Sequence, residues 1–144
     1  MRKNGFTFIE LMLILVIIAI LALVVISGIM RQQTKNNELV AIGNLRLIVA
    51  AELAFQAANG KYASSFDELT KAKPPFEGDW YKARRGYKFS LSGSDVTFAI
   101  TANPTAPDSS STGPRHFFVN EAGVIRFSVN GPADSASPVL TEKD

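Results

Sequence analysis

The sequence contains no cysteine and a single histidine, His116. Disulfide bonds and thiolate metal sites are therefore excluded, although an oxidising compartment is not. His116 lies beside Phe117 in a predicted strand, without a second imidazole or a thiolate to share a transition metal, so we interpret it as structural. Nucleophile elbows, phosphate-binding loops and metalloprotease motifs are also missing from the sequence. We therefore predict a chain without catalysis of its own.

Charge is missing from most of the N-terminal region. Residues 11–26 contain no polar side chain, and the apolar run from Phe6 to Met30 is long enough to cross a bilayer core of about 30 Å as a helix. Glu10 interrupts this run, and an acid inside an apolar segment is costly and tends to mark function. A secretory signal peptide would need a better small-residue cleavage site than residues 24–28 offer. An uncleaved anchor is the other alternative, and neither accounts for Glu10.

The residues around Glu10 form a known pattern. The string GFTFIELM, from Gly5 to Met12, resembles the prepilin signature of type IV pilins and type II secretion pseudopilins. The resemblance implies cleavage between Gly5 and Phe6 by a prepilin peptidase, which also acts as the methyltransferase of the new N-terminus at Phe6. It further implies assembly contacts at Thr7 and Glu10, with the Glu10 carboxylate attracting the N-terminal ammonium of a neighbouring subunit. Two buried charges cost far less when they are paired than when one is buried alone.

The same resemblance implies a location and partners. The chain would span the inner membrane once before assembly and join a helical homopolymer at the cell surface or in the periplasm afterwards, with an inner-membrane assembly platform as its partner. Cleavage would remove Arg2 and Lys3, which leaves 13 of the 15 basic residues against 13 acidic ones. The net charge of +2 therefore carries no whole-chain argument for binding nucleic acid.

Two departures from the family pattern bear on function. Family members commonly carry a proline late in the apolar segment, whereas this chain has Ser27 followed by Gly28. These residues weaken a helix less than proline does, and we treat them as a candidate site of helix melting. Major pseudopilins hold calcium in a C-terminal loop. The acids available here, Asp134, Glu142 and Asp144, have a spacing that matches no calcium motif, so we favour a solvated tail and expect no cofactor, with calcium as the alternative.

The helical pattern continues beyond Met30. Apolar residues recur at three- and four-residue spacing and end at Asn59-Gly60, a C-terminal stop. This stripe comprises Leu39, Ile42, Leu45, Val49 and Leu53. The polar residues expected to lie outside it are Glu38, Asn44, Arg46, Glu52 and Gln56. One helix from Phe6 to about Ala58 would be roughly 80 Å long, with its second half packed on its own domain as an ordinary core helix.

The rest of the chain has the signals of a short helix and a sheet. Ser65 and Glu68 have capping-box spacing, which predicts a helix starting near Phe66 and ending before Pro74-Pro75. Alternating patterns predict strands at 87–91, 96–101, 115–119 and 124–129. A loop is expected over 103–114, a turn at 120–123, and a loose tail over 130–144 with one extra strand near Val139 and Leu140.

These elements define the predicted organisation. Residues 1–5 are a prepilin leader, 6–30 a transmembrane and filament-core segment, 31–59 the amphipathic half of the long helix, and 60–144 a globular region. The fold class is α+β, type IV pilin-like, with the long helix packed on a roughly four-stranded antiparallel sheet. We predict a structural subunit of a type IV pilus-like filament. A major-type pseudopilin of a type II secretion system is the alternative.

A cluster of basic residues supports a third hypothesis. Basic and aromatic side chains together can hold single-stranded nucleic acid through phosphate contacts and base stacking. The aromatic residues are Trp80, Tyr81 and Tyr87, and the basic residues are Lys82, Arg84, Arg85 and Lys88. The chain would then be a membrane-tethered binding module for DNA that never polymerises. A solvated loop or a contact between subunits is the simpler interpretation.

Overall fold

The computed structural model describes residues 5–106 and 114–141, except for the side chains of residues 26, 27 and 30. The chain forms two units, Met1–Thr34 and Lys35–Asp144. Helix α1, Phe8–Asn59, contributes residues to both. It ends where predicted, because Gly60 takes a left-handed conformation with φ of 74° and donates its N–H to the Gln56 carbonyl at 2.8 Å. A glycine in this conformation is a common helix stop.

Helix α2, Phe66–Lys71, begins at the predicted residue but with a different cap. The Ser65 side chain makes no capping hydrogen bond. The Glu68 carboxylate instead accepts the Ser64 N–H at 2.9 Å, and this hydrogen bond lowers the pKa of Glu68. The start of the helix was therefore predicted correctly and its side-chain cap was not.

Within the described residues, four strands form one antiparallel sheet in sequence order. The ladder pairs Leu91 with Ile100 between the first two strands, and Ile100 with Val119 between the second and third. The strands are β1 Tyr87–Gly93, β2 Phe98–Pro104, β3 His116–Asn120 and β4 Arg126–Ser128. A long helix with a four-stranded antiparallel sheet is the α+β fold class that the sequence predicted, and it is consistent with the type IV pilin fold.

The strand boundaries differ from the predicted ones in β2 and β4. Val96 lies before β2 and is 76% exposed, whereas Asn103 and Pro104, predicted as loop, complete the strand. The hydrogen-bonded pairing of β2 with β3 stops at Ala102. Pro104, which has no backbone N–H, is therefore tolerated at the end of β2. Strand β4 is shorter than the predicted 124–129. Part of the predicted loop, 107–113, lies outside the described residues.

The C-terminal tail is held against β4. Val139 forms an isolated antiparallel bridge with Arg126, and the Leu140 N–H donates to the Ile125 carbonyl at 2.9 Å. The Arg126 guanidinium also donates to the Ser137 carbonyl at 2.8 Å. The extra strand predicted near Val139 is therefore a single bridge rather than a full strand.

The core of the second unit lies between α1 and one face of the sheet. The helix contributes Ala41, Ile42, Leu45 and Ile48, all buried. The sheet contributes alternate residues of β1, β2 and β3, as expected for strands with one buried face. These are Tyr87, Phe89, Phe98, Ile100, Ala102, Phe117 and Val119.

The buried face of α1 is rotated from the predicted stripe. Leu39 and Leu53, predicted to be buried, are 66% and 49% exposed. Glu38 and Glu52, predicted to lie outside the stripe, are 7% and 0% exposed. The prediction was wrong at these four positions. Apolar residues at three- and four-residue spacing occur on more than one face of this helix, and both carboxylates accept hydrogen bonds in the interior.

Glu38 is buried because Arg115, the residue before β3, satisfies its carboxylate. The Arg115 side chain donates to Glu38 Oε2 at 3.0 and 3.2 Å, and the Arg115 backbone N–H donates to Oε1 at 2.9 Å. The Tyr87 hydroxyl donates to the Arg115 carbonyl at 2.8 Å. A buried ion pair needs such additional hydrogen bonds to offset its desolvation. This network joins α1 to β1 and β3.

Glu52 is buried with fewer partners. Its Oε2 accepts the Ala63 N–H at 2.9 Å, while Oε1 is buried without a hydrogen-bond partner. Burial raises the pKa of Glu52 to about 7, partly countered by the Ala63 hydrogen bond. The segment after α1 is thus held to the helix by a carboxyl group that the interior favours in its neutral form.

Candidate assembly site

Helix α1 begins with a reciprocal pair of side-chain caps. The Thr7 hydroxyl accepts the Glu10 N–H at 3.3 Å, and the Glu10 carboxylate accepts the Thr7 N–H at 3.3 Å and its hydroxyl at 3.2 Å. This arrangement is a capping box. Both residues are exposed, as is Phe6 before them at 69%. The two predicted assembly residues are therefore brought together at the start of the helix.

The capping box could have been predicted from the sequence, but our sequence analysis did not predict it. The spacing Thr-x-x-Glu ahead of an apolar run is its signature, but our interpretation of Glu10 used only its charge. The structure adds a local role, because a carboxylate in the first turn also interacts favourably with the helix dipole. Glu10 therefore has a partner within its own chain.

The segment Phe8–Val25 contains Glu10 of the capping box and no other charged residue. It is the first part of the longer helix α1, and none of it is buried inside the protein. Its length and composition suit a membrane span, although a signal sequence has the same properties. What the chain itself shows is a fully uncovered apolar helix.

The predicted melting site lies inside regular helix. Ser27 and Gly28 both belong to α1, which continues without a break to Asn59. The Ser27 side chain lies outside the described part, and a Cβ added to Gly28 would meet nothing within 4 Å. Packing within the chain therefore does not require glycine at this position, and local melting there stays a prediction.

Two of the four basic residues of the predicted cluster have partners close to them in the chain. Lys82 pairs with Asp79 at 2.9 Å, and Arg84 lies over the Trp80 ring, 4.2 Å from its centroid. Lys88 is exposed on β1, and Arg85 takes a left-handed conformation with φ of 49°. Two of these side chains are thus engaged by local partners.

The aromatic residues of the nucleic-acid hypothesis are mostly unavailable. Trp80 and Tyr87 are core residues, 3% and 1% exposed. Burial also raises the pKa of the Tyr87 hydroxyl. Tyr81 alone of the three is exposed, at 55%. A base cannot stack on a buried ring, so the geometry gives little support to base stacking at this cluster.

The remaining candidate residues have local structural roles. His116 Nδ1 lies 2.8 Å from Asn103 Oδ1, and burial lowers the pKa of this histidine. The Asp134 carboxylate accepts the Ala136 N–H at 2.9 Å and the Ser137 hydroxyl at 3.0 Å, and these bonds lower its pKa. Glu142 and Asp144 lie outside the described residues. Across residues 5–106 and 114–141, no group of three histidines or acids is placed to hold a metal ion.

Comparison with known proteins identifies a sequence motif at this N-terminus. Residues 1–26 match the family model for the prokaryotic N-terminal methylation motif. The chain therefore carries this motif at its N-terminus. It is similar to the type IV major pilin protein PilA of Myxococcus xanthus (strain DK1622), with 28% identity over 146 residues. The alignment covers 96% of this chain but 58% of PilA, so the chain spans less than two thirds of that relative's length. No solved structure matches it.

The residues that match the methylation motif are also those that form the candidate site. The matched region contains Gly5, Phe6, the capping box and all of the uncovered segment Phe8–Val25. The PilA alignment extends through the sheet as well. The resemblance is therefore not confined to the short N-terminal motif.

Proposed function

We propose that this chain is a structural subunit of a type IV pilus-like filament, cut between Gly5 and Phe6 by a prepilin peptidase, methylated at Phe6 and polymerised through α1. The observation that carries the proposal is the uncovered helix Phe8–Val25 with one carboxylate at its start. It lies within a recognised methylation motif. Before assembly the helix would span the inner membrane, and afterwards it would lie inside a surface or periplasmic filament.

Apolar packing supplies most of the assembly free energy in this proposal. The apolar side chains of Phe8–Val25 leave lipid together, so van der Waals packing between the helices, rather than removal from water, stabilises their association. Apolar burial is not directional, so it does not fix how one copy is placed along another. A polar contact is needed to set that register.

Glu10 would provide the register. Cleavage after Gly5 turns the Phe6 amide nitrogen into an ammonium group, so each processed copy has one cation close to the Glu10 capping box. A carboxylate buried among apolar helices is costly alone and much less so when paired. A copy would therefore be held where its Glu10 meets the N-terminal ammonium of a neighbour.

The experiment compares two variants in cells that lack the wild-type chain. Glu10→Ala should abolish filaments seen by electron microscopy, while a Lys82→Ala/Lys88→Ala variant should assemble normally. The tethered-binding-module hypothesis expects the reverse, with function surviving Glu10→Ala and lost with the basic residues. If removal of the chain stops protein secretion and leaves surface filaments intact, the pseudopilin alternative replaces the pilus.

A further inference from the structure

The sequence contains three asparagine–glycine pairs, at positions 4–5, 59–60 and 130–131. Asparagine is chemically labile in this setting, because glycine has no side chain to hinder the approach of its backbone nitrogen to the asparagine amide carbon. Asn4 lies outside the described residues. The other two pairs are both described, and their surroundings differ.

The pair Asn59–Gly60 is held by hydrogen bonds at the end of α1. The Asn59 side-chain amide donates to the Phe55 carbonyl at 2.9 Å, and the Gly60 N–H donates to the Gln56 carbonyl at 2.8 Å. Both groups that would have to react are therefore engaged. Asn59 is also the last helical residue, and the five-membered ring that the reaction forms requires a backbone conformation outside the helical region.

The pair Asn130–Gly131 is free to react. It follows β4, outside any helix or strand, and Asn130 is exposed. Within the described part of the chain, neither Asn130 nor Gly131 takes part in a hydrogen bond. Gly131 has a φ of 150°, and a Cβ placed on it would meet nothing within 4 Å. The backbone nitrogen of Gly131 thus has open space around it and no acceptor holding its proton.

We propose that Asn130 is a site of spontaneous deamidation. The Gly131 nitrogen attacks Asn130 Cγ, the bond from Cγ to Nδ2 breaks, and the proton lost by the Gly131 nitrogen leaves with the amide group as ammonia. The product is a cyclic imide. Water then opens this ring at one of its two carbonyl groups, which gives aspartate in one case and isoaspartate in the other. Water is the only co-reactant, and no group is oxidised or reduced.

The modification changes both charge and backbone at one place in the chain. The new carboxylate lowers the net charge of +2 by one. Isoaspartate also places the side-chain carbon of Asn130 in the main chain, which lengthens by one atom the connection between β4 and the tail. The ends of this connection are paired, since the Phe127 N–H donates to the Pro138 carbonyl at 3.0 Å. The inference goes beyond the proposed function and does not rest on it.

Mass spectrometry of the folded chain tests the proposal. The purified full chain is incubated at neutral pH in detergent and in water enriched in heavy oxygen, so that conversion during incubation is told apart from conversion during digestion. We expect labelled aspartate and isoaspartate at position 130, formed about tenfold faster than at Asn59, the factor that one intramolecular hydrogen bond can supply. The same chain unfolded in guanidinium chloride should lose this difference, because both pairs are then free.

Two matched variants give an independent readout by isoelectric focusing. Asn130→Gln should remove the main acidic form that appears during incubation, because glutamine would have to close a larger ring. Asn59→Gln should leave that form unchanged. Equal conversion at Asn59 and Asn130 in the folded chain would overturn the proposal. So would an Asn130 that stays intact in the folded chain over the time in which the unfolded chain converts most of its copies.

Discussion

Glu10 combines a hydrogen-bond acceptor with a negative charge, and the two properties serve different steps. As an acceptor it caps its own helix through Thr7. As a charge it would set the register between copies. A glutamine preserves much of the first property and none of the second, so the two roles can be separated at this residue.

We expect Glu10→Gln to keep the helix start and lose the filament. The amide oxygen can still accept the Thr7 N–H, but it offers no charge to a neighbouring ammonium. Thr7→Ala does the opposite, because it removes the cap at a cost of about 1 kcal/mol and retains the carboxylate. Filament yield by electron microscopy should therefore fall much further with Glu10→Gln. Equal yields from the two variants would assign Glu10 to capping alone.

Glu52 makes stability depend on pH in an unusual direction. Its pKa is about 7 in the folded chain against 4.5 for the free side chain, so the folded state holds a proton that the unfolded state releases between these values. The contribution of Glu52 to the free energy of unfolding is therefore greatest below pH 4.5, and it falls as the pH rises towards 7. Above pH 7 the loss is complete, on the order of 3 kcal/mol at 1.4 kcal/mol per pKa unit.

Glu52→Gln should remove this dependence. Its amide oxygen can keep the Ala63 hydrogen bond without carrying a charge into the interior. Denaturant unfolding of the full chain in detergent should show the variant more stable than the wild type at pH 8, with the difference shrinking towards pH 5. The control is Glu121→Gln, at an exposed turn. A difference between Glu52→Gln and wild type that does not change with pH would contradict the assignment.

Helix α1 shows where sequence patterns determine an element and where they do not. Its ends were predicted within two residues, since Gly60 and the capping residues act locally. Its buried face was not, because apolar residues cover most of the circumference and the pattern fits several rotations. The deciding partners, Arg115 for Glu38 and the Ala63 N–H for Glu52, lie 77 and 11 residues away.

The Glu38–Arg115 pair is the side-chain tie that we expect to hold α1 to β3 most strongly. Arg115→Ala leaves a buried carboxylate unpaired and should destabilise the second unit by about 3–5 kcal/mol. The double variant Glu38→Leu/Arg115→Ala should recover part of this loss, because the unpaired charge is gone. Denaturant midpoints of the full chain in detergent measure both. A double variant less stable than Arg115→Ala would mean that the loss comes from packing instead.

The β1–β2 hairpin approaches the segment after α1 at Gly93. A Cβ there would lie 2.5 Å from the Ala63 carbonyl oxygen and 3.3 Å from that of Thr97, so backbone would have to move. Gly93→Ala should cost about 1–3 kcal/mol, whereas Gly43→Ala, with open space around it, should gain up to about 1 kcal/mol of helix propensity. Thermal unfolding compares the two, and equal effects would contradict the close approach.

At the scale of the whole molecule, the sequence predicted the fold class but not which apolar residues of α1 lie on the surface. The alternating patterns predicted four strands, and the structure buries Tyr87, Phe89 and Phe117 of these strands in the core. These patterns could not show that the second half of α1 turns apolar residues to both sides, because that depends on where the sheet lies. The uncovered segment Phe8–Val25 suits a chain that is completed by other copies of itself.

Mass spectrometry of the mature N-terminus tests the account most directly. The filament account requires a free ammonium near Glu10, and the chain gains it at this position only by cleavage between Gly5 and Phe6. We predict a mature chain that begins at Phe6 and carries one methyl group on its nitrogen. A mature chain that still begins at Met1, or one cut near Ser27 with the apolar helix removed, would contradict it.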